Sequence, residues 1–550
     1  MRADLAIWAW AALAAAGCGA ETGPDGGNTS SGAAAAGGAG GAGGGSGAVA
    51  GAAAAGGGCD PEACPGKDET CGKRTCTGGA CAVQAAPKGT PCPEDGGGVC
   101  DGEGHCAKIP AGGSCTKATA CESGYCADGV CCTSACEGPC GSCAQAGSEG
   151  TCSPQAAGTD IYFGGQVHKS AGSFDGFLAK VKADASEDWS KSFGGPGAQH
   201  ARRVTVDAAG SMLVAGDFDG TINLGGDDLT STGGRDLFVA KFDKSGKHLW
   251  SRSYGGEDDA ELTGLGVDGT GSVLLAGAFR GTLDFAPLEL LTSAGAEDIF
   301  VVRLDPGGFP LWARRFGDAD GQRATALLPS GLTEAIVVGE LRGSADFGLG
   351  PAFSMGGSDV FLLRLDGFGL PMLTLFWGDD LDQSPAAIAF TPKGNLLMAG
   401  TFQGTMVFGG GQSLTSAGGD DAFVVEFDKD GAAVWSRSFG DPAAQSASDV
   451  GLDGAGNVLL AGAINGVVKV GPSTLVGAGG GDIFVAKLTP AGVPLWGRRY
   501  GDKLPQKALA VAGDQSGNVL ATGVMTGNVN FGAGVLNASD PDMFLLKLSP

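Results

Sequence analysis

The strongest constraint on the fold is a segment that recurs about every 61 residues through the C-terminal two-thirds of the chain. At 482–502 it reads DIFVAKLTPAGVPLWGRRYGD, with an Asp-x-Phe start, an apolar run, a Gly turn and a Trp-x-Arg-x-aromatic-Gly end. Its first residue recurs at intervals of 60 to 62 residues, at Asp175, Asp236, Asp298, Asp359, Asp421, Asp482 and Asp542. A fixed period of this length indicates one structural unit that is repeated along the chain.

Each unit contains four short strand-like segments and no helical periodicity. In one unit, the hairpin 449–466 turns at Asp453-Gly-Ala-Gly-Asn457, whose residues tolerate tight turns, and its second strand, 458–462, is continuously apolar. A Gly-Thr/Ser-x-x-Phe segment, the Asp-x-Phe strand and the Trp strand follow. Short antiparallel strands in a radial repeat predict an all-β fold, a β-propeller with four-stranded blades. A parallel β-helix is the alternative repeat fold, but its rungs are shorter than this period.

The residue pattern also predicts how blades pack. In the strand that starts at Asp482, alternation places Phe484, Ala486 and Leu488 on one face and Ile483 and Val485 on the other, so that both faces are buried. The Trp of each unit is expected to form a large buried plate near the blade edge. The small Ala-Gly pairs of the apolar strands are expected to let neighbouring blades approach closely.

On these motifs, residues 158–550 resemble the bacterial β-propeller repeat family labelled SBBP, whose members are largely exported. The resemblance implies the fold and adds little chemistry. The family label suggests seven blades, but the sequence has seven Asp-x-Phe strands and only six hairpin pairs and six Trp-type strands. We therefore predict six blades, with the strand around Trp189 completing the last one. Seven blades, two of them incomplete, is the alternative.

The N-terminus predicts export. Residues 1–18 contain an apolar run too short to span a membrane, which is typical of a signal peptide. The end of this run, Ala15-Ala16-Gly17-Cys18, resembles a bacterial lipobox, which implies cleavage before Cys18, acylation of its thiol and, because Gly19 is not Asp, anchoring in the outer membrane. An ordinary cleaved signal peptide is the alternative. Residues 19–58 are rich in Gly and Ala and predict a flexible linker.

Residues 59–157 form a cysteine-rich segment with few large apolar side chains, so we predict that disulfides hold it together. The stretch CADGVCCTSACEGPCGSCAQAGSEGTCSP resembles cysteine-rich modules of secreted myxobacterial proteins. Zinc bound through Cys140 and Cys143 is the rival interpretation. The cysteines of this segment are Cys59, Cys64, Cys71, Cys76, Cys81, Cys92, Cys100, Cys106, Cys115, Cys121, Cys126, Cys131, Cys132, Cys136, Cys140, Cys143 and Cys152. Their number is odd, so at least one thiol has no disulfide partner within the segment. Their spacing does not show which cysteines pair.

The candidate ligand-binding residues lie in loops of one propeller rim. A glutamine recurs ten residues after the Trp position, at Gln199, Gln322, Gln383, Gln445 and Gln506. A ring of amides is a candidate binding surface, although recurrence in nearly every unit favours a structural role in the connections between blades. One unit departs from the pattern: it carries Trp377 in the place of Phe or Tyr, followed directly by Asp379 and Asp380. Acidic loops of this kind also suit Ca²⁺, but they lack the remaining positions of a calcium loop.

The sequence contains no Ser-His-Asp set, nucleotide-binding loop or His-based metal set. A net charge of -25 argues against nucleic acid as a partner. We therefore predict a monomeric, surface-anchored, non-catalytic binding or scaffold lipoprotein without a cofactor. It would face the periplasm or the cell surface, touch the membrane only through its lipid, and bind an envelope protein or polysaccharide. The alternatives are an exported hydrolase or lyase that uses Asp258, Asp320 or Asp380, and a purely structural envelope role.

Overall fold

The computed structural model describes residues 197–550 without a gap and, before them, 72–77, 80–87, 91–92, 98–100, 106–107, 126–127, 130–131, 141–142, 153–154, 161–163, 166–171, 174–182 and 186–195. The chain divides into two compact units, with a boundary at Gln155 and Ala156. Within the described ranges the regular secondary structure is entirely β, and no helix there is long and apolar enough to cross a membrane. The predicted signal peptide, Cys18 and the predicted flexible linker 19–58 lie outside these ranges.

The second unit is built from antiparallel sheets whose strands follow chain order, and we call the first strand of each sheet inner and the fourth outer. Five sheets have four strands, and we number them as blades in chain order. They are Gln199–Val206, Met212–Phe218, Asp236–Phe242 and His248–Tyr254; Ala260–Val267, Val273–Phe279, Asp298–Leu304 and Pro310–Phe316; Gln322–Ser330, Glu334–Leu341, Asp359–Leu365 and Pro371–Trp377; Gln383–Phe390, Leu396–Phe402, Asp421–Phe427 and Ala433–Phe439; Gln445–Leu452, Val458–Ile464, Asp482–Leu488 and Pro494–Tyr500. The sixth blade has three: Gln506–Gly513, Val519–Asn530 and Val535–Leu548.

Smaller two-stranded sheets complete the unit. Each of the first five blades carries one between its second and third strands: Thr221–Asn223 with Asp228–Thr230, Thr282–Leu283 with Leu291–Thr292, Ser344–Asp346 with Pro351–Phe353, Thr405–Gly409 with Gln412–Thr415, and Val467–Val470 with Ser473–Val476. Before the first blade lie Ile161–Phe163 with Gln166–His168 and Gly176–Val181 with Glu187–Phe193.

The prediction of an all-β propeller with six blades is confirmed, and one detail differs. The strand that contains Trp189 pairs with its sequence neighbour Gly176–Val181 and not, among the described pairings, with the sixth blade. A short hairpin costs less loop-closure entropy than a pairing across most of the chain, which favours the local partner.

Hydrophobic clusters join successive blades. In the fifth blade, Phe484, Ala486 and Leu488 pack in a cluster with the fourth blade, whereas Ile483 and Val485 pack in a cluster with the sixth. All five side chains are completely buried. The prediction that this strand is apolar on both faces because each face meets a different blade is therefore confirmed.

The recurring tryptophans also pack between blades. Trp435 of the fourth blade is 7% exposed, and its ring lies against Gly492 in the turn of the fifth blade, where a Cβ would come within 2.5 Å of it. Trp312 of the second blade covers Gly369 of the third in the same way. The expected buried plate is thus found, and its role is to cover the turn before the next outer strand.

The expectation for the Ala-Gly pairs holds for the alanine, since Ala461 packs in a cluster with the sixth blade, and is wrong for the glycine. A Cβ on Gly462 would lie 1.9 Å from the carbonyl oxygen of Ser446, which belongs to the inner strand of the same blade and not to a neighbour. The cause is a β-bulge at which the register shifts between the third and fifth residues of all six inner strands: Ala201/Arg203, Leu262/Gly264, Ala324/Ala326, Pro385/Ala387, Ala447/Asp449 and Ala508/Ala510. Bulges of this kind re-aim side chains.

The cysteine-rich unit contains short antiparallel strands: Gly72–Thr77 with Ala80–Ala85; Pro91–Cys92, Gly98–Cys100 and Cys106–Ala107; Cys126–Ala127 with Val130–Cys131; and Gly141–Ser142 with Ser153–Pro154. The backbone register places three cysteine pairs directly opposite each other, Cys76 and Cys81, Cys100 and Cys106, and Cys126 and Cys131. The other cysteines except Cys92 lie outside the described residues: Cys59, Cys64, Cys71, Cys115, Cys121, Cys132, Cys136, Cys140, Cys143 and Cys152.

This register predicts three disulfides. Opposite residues in an antiparallel pair have Cα atoms about 4.5–5.5 Å apart, which is within the span of a disulfide. We expect peptide mapping of the non-reduced protein to recover the pairs Cys76–Cys81, Cys100–Cys106 and Cys126–Cys131. Bound zinc together with titratable free thiols would contradict this prediction and favour the metal interpretation.

Candidate binding site at the propeller axis

The recurring glutamines of the rim are buried, and their hydrogen bonds are made within the chain. Gln383 accepts from the Asp379 backbone N–H at 3.3 Å and donates to the Asp379 carboxylate at 2.8 Å and to the Gln403 carbonyl at 3.1 Å. The same pattern is found at Gln322, Gln445 and Gln506, and Gln199 bonds Gly195 and Asp219 in a related way. These amides tie the loop between blades to the following hairpin.

In the loop that departs from the repeat, Trp377 and Asp379 are engaged within the chain, whereas the residues 380–382 are exposed. Trp377 is 7% exposed and stacks on Phe427 with ring centroids 4.6 Å apart. Asp379 accepts from the backbone N–H groups of Leu381 at 3.0 Å and Thr405 at 2.5 Å. Asp380 is exposed. In the described part of the chain, no group of three or more His, Cys, Asp or Glu residues is arranged to hold a metal ion.

In the first four blades, the Asp that starts the third strand is a buried carboxylate with one oxygen that has no partner among the described residues: Asp236, Asp298, Asp359 and Asp421. Asp359 is 3% exposed; its Oδ2 accepts from the Met355 N–H at 2.9 Å, and its Oδ1 has no partner among the described residues. Burial raises the pKa of Asp359 to about 6, and the nearby Asp379 adds to this. Asp359 Oδ1 and Gln383 Oε1 both lie within 2.4 Å of the point that a Cβ on Gly378 would occupy.

This raised pKa predicts a pH-dependent stability. A carboxyl whose folded pKa lies above its unfolded value destabilises the folded state once the pH exceeds the unfolded pKa, and the penalty is complete above the folded pKa of about 6. Asp359→Asn should therefore raise the free energy of unfolding by about 1–3 kcal/mol at pH 7.5, with the gain vanishing near pH 4. Urea unfolding at both pH values measures this. Asp380→Asn is the exposed control, and a variant that loses stability at pH 7.5 would contradict the prediction.

The inner strands, in contrast, carry side chains that differ from blade to blade. The residue after the recurring glutamine position is His200, Glu261, Arg323, Ser384, Ser446 or Lys507 in the six blades in turn. Arg203 of the first blade interacts electrostatically with Glu261 of the second, Arg323 of the third and Asp449 of the fifth. The inner strands of four blades therefore approach one axis. We use the name axial cluster for Arg202, Arg203, Glu261, Arg323, Asp449 and Lys507. Lys507 is included because of its equivalent register position on the sixth blade, and burial is the single cause of its pKa shift.

Ion pairs connect the first three blades at this axis. The Glu261 Oε1 lies 3.1 Å from Arg202 Nη1 and 2.6 Å from Arg323 Nη2. Behind them, the fully buried Asp217 bonds Arg202 and lies 2.9 Å from His200 Nδ1. Burial alone would raise the pKa of Asp217, but the hydrogen bonds from His200 and Arg202 outweigh it and lower that pKa. Asp217 thus holds Arg202 in position beside the axis.

The other members of the axial cluster are strongly affected by burial. Burial raises the pKa of Asp449 to about 7, although backbone N–H groups of Val511 at 2.8 Å and Val450 at 2.9 Å, together with Arg203, oppose the shift. Burial lowers the pKa of Arg203 to about 10 and also lowers that of Lys507. Perturbed pKa values of this kind concentrate at functional sites.

Lys507 makes no hydrogen bond or ion pair with any described residue. The neighbouring Ser448 hydroxyl on the fifth blade is buried and also has no partner there. The axial cluster therefore combines fixed ion pairs with polar groups whose bonding capacity is unused. Such a site can bind a polar ligand.

The sequence predicts the recurring glutamines as candidate ligand-binding residues and does not single out the residue beside each of them. The feature that distinguishes this neighbouring position is its variability. Across the six units it carries five residue types, including acidic and basic ones. The recurring glutamines hold the scaffold, whereas Arg323, which follows Gln322, pairs with Glu261 at the axis.

Comparisons with known proteins find limited similarities and establish no particular activity. No family model matches the chain. A stretch of 184 residues, 31% of this chain, is 30% identical to the regulatory protein FlaEY of Caulobacter vibrioides, and it covers only 18% of that protein. Apocarotenoid oxygenase from Synechocystis superposes with a TM-score of 0.35 at 10% identity over 64% of this chain and 72% of that chain. Regucalcin, a calcium-binding protein from Agrobacterium tumefaciens, superposes with a TM-score of 0.28 at 13% identity, over 58% of this chain and 81% of that chain.

Proposed function

We propose that this chain is a non-catalytic binding protein of the SBBP type that holds its ligand at the propeller axis. The observation that carries the proposal is the axial cluster, in which charged residues break the repeat, whereas the recurring polar residues of the rim bond within the chain. Repeat positions that serve only the scaffold tend to be kept alike. Residues that differ between blades and still converge are therefore the best candidates for recognition.

We further propose that the protein works in the cell envelope. The signal-like residues 1–18 and the lipobox-like end at Cys18 support export and anchoring in the outer membrane, facing the periplasm or the cell surface. The linker 19–58 and a disulfide-braced segment resembling myxobacterial modules would hold a monomeric propeller away from the lipid. Its partner would be an envelope polysaccharide or protein, and the net charge of -25 disfavours nucleic acid.

A hydrolase or lyase is the second candidate. The observation that favours it is the pKa of Asp449, which burial raises to about 7, the range that suits a general acid or base at neutral pH. The rim carboxylates support it less, because Asp379 is engaged by backbone N–H groups and by Gln383. Turnover that depends on Asp449 would favour this candidate over simple binding.

The test uses the full-length protein on an array of envelope polysaccharides and proteins, combined with product analysis of every ligand that binds. Binding without turnover is the expected result. Turnover of a bound polymer would establish the second candidate, and no binding to any component would refute the proposal. Mass spectrometry of the mature N-terminus should find an acylated Cys18, and an unmodified N-terminus elsewhere would refute the anchor.

A further inference from the structure

We propose that the axial cluster recognises an oxyanion, a carboxylate or phosphate group carried by the ligand. This inference rests on the proposed function and adds the chemical class of the group that enters the axis. It comes from the balance of charges and hydrogen-bond donors at the axis, and neither the rim loops nor the outer blade surfaces contribute to it.

The axial cluster is locally basic in an acidic protein. It contains four basic side chains, Arg202, Arg203, Arg323 and Lys507, and two acidic ones, Glu261 and Asp449. When the flanking Arg235, Asp217 and Glu340 are counted as well, five basic and four acidic groups leave one excess positive charge in a chain whose net charge is -25. Basic groups concentrated in a partly desolvated site attract anions strongly, because the surrounding protein screens them less than water does.

The two acids that flank the cluster reduce this excess without abolishing it, and both are already hydrogen-bonded. Asp217 lies 2.9 Å from His200 and 3.6 Å from Arg235, in addition to its bond with Arg202. Glu340 accepts a hydrogen bond from the Ser384 hydroxyl of the next blade. Because Asp217 and Glu340 already have hydrogen-bond partners, neither carboxylate competes with an incoming anion for the free donors of the axial cluster.

Hydrogen-bond donors also outnumber acceptors. One oxygen of Glu261 serves both Arg202 and Arg323, and the carboxylate of Asp449 accepts from two backbone N–H groups. Arg323 has a single ion pair, although a guanidinium offers five N–H donors, and Lys507 has none among the described residues. Carboxylate and phosphate oxygens match the planar fork of Arg and the point charge of Lys.

The test is isothermal titration of the full-length protein at low salt with two probes, inorganic phosphate and citrate. We expect at least one probe to bind, with an affinity that falls as salt is added. Arg323→Gln and Lys507→Gln should each weaken that binding about tenfold or more, because each removes a charged donor. Comparing the two probes distinguishes a phosphate-bearing ligand from a carboxylate-bearing one.

Arg498→Gln is the matched control, since Arg498 lies on the outer strand of the fifth blade, over the Trp496 ring and away from the axis. It should bind the probes as the wild type does. Lys507→Gln breaks no hydrogen bond of the described structure, so its result does not depend on refolding. Absence of binding by both probes, or equal binding by all variants, would overturn the inference. If the protein binds an envelope component but neither phosphate nor citrate, the proposed binding function is supported and only the oxyanion inference is refuted.

Discussion

Replacing Asp217 with alanine is expected to lower the free energy of unfolding by about 3–5 kcal/mol, the range measured when one partner of a buried ion pair is removed. Asp217 is fully buried and engages His200, Arg202 and Arg235. Its removal takes the fully buried carboxylate away from Arg202 and Arg235, which keep only their more exposed partners Glu261 and Asp259, so the loss should exceed that of any exposed ion pair. Urea unfolding of the full-length protein, followed by intrinsic tryptophan fluorescence, measures the change.

The control is Asp227→Ala, because Asp227 is exposed in the small hairpin of the same blade. It should change stability by less than about 0.5 kcal/mol. Similar small losses for both variants would mean that Asp217 does not organise the axial cluster. Asp217→Asn should fall between them, since an asparagine keeps one acceptor and loses the charge.

The second large effect is expected for Gly462→Ala. The added methyl group would lie 1.9 Å from the Ser446 carbonyl oxygen, where no Cβ can be accommodated without moving the inner strand. Relief of the clash requires the bulge of the fifth blade to shift, at a cost of about 3 kcal/mol or more, at the upper end of ordinary overpacking. Because Asp449 follows this bulge, the variant should also weaken ligand binding at the axis.

Gly321→Ala provides the matched comparison for this variant. Gly321 has no heavy atom within 4 Å of the position of an added Cβ, and its backbone lies outside the left-handed region. Its replacement should be neutral or slightly stabilising, because alanine reduces the freedom of the unfolded chain. Equal stability of Gly462→Ala and Gly321→Ala would contradict the role given to the bulge.

The repeat made most of the fold predictable. Alternation along Ile483–Leu488 identified both buried faces, because strand periodicity is a local property that each unit repeats. The expectation that Gly462 faces a neighbouring blade is wrong because the sequence shows only that a small residue is required there. It does not show which atom approaches that residue. The Ser446 carbonyl does so only once the bulge has formed.

The axial cluster could not be predicted because it depends on distances between blades. Arg203 and Asp449 are far apart in sequence and meet only when the blades have curved around the axis. Searching for recurrence selected Gln383 and its equivalents, whose amides are used by the scaffold. The strand register of the structure is needed to show that the side chains that differ between units occupy equivalent positions on the inner strands.

The most direct test of the central claim compares ligand binding at the axis and at the rim. Full-length wild type, Arg323→Gln, Lys507→Gln and Asp380→Asn would be measured side by side against the envelope component that binds most tightly. We expect a loss of about tenfold or more for the two axial variants and no change for Asp380→Asn. Unchanged binding by both axial variants, with a loss for Asp380→Asn, would place the site on the acidic rim and contradict it.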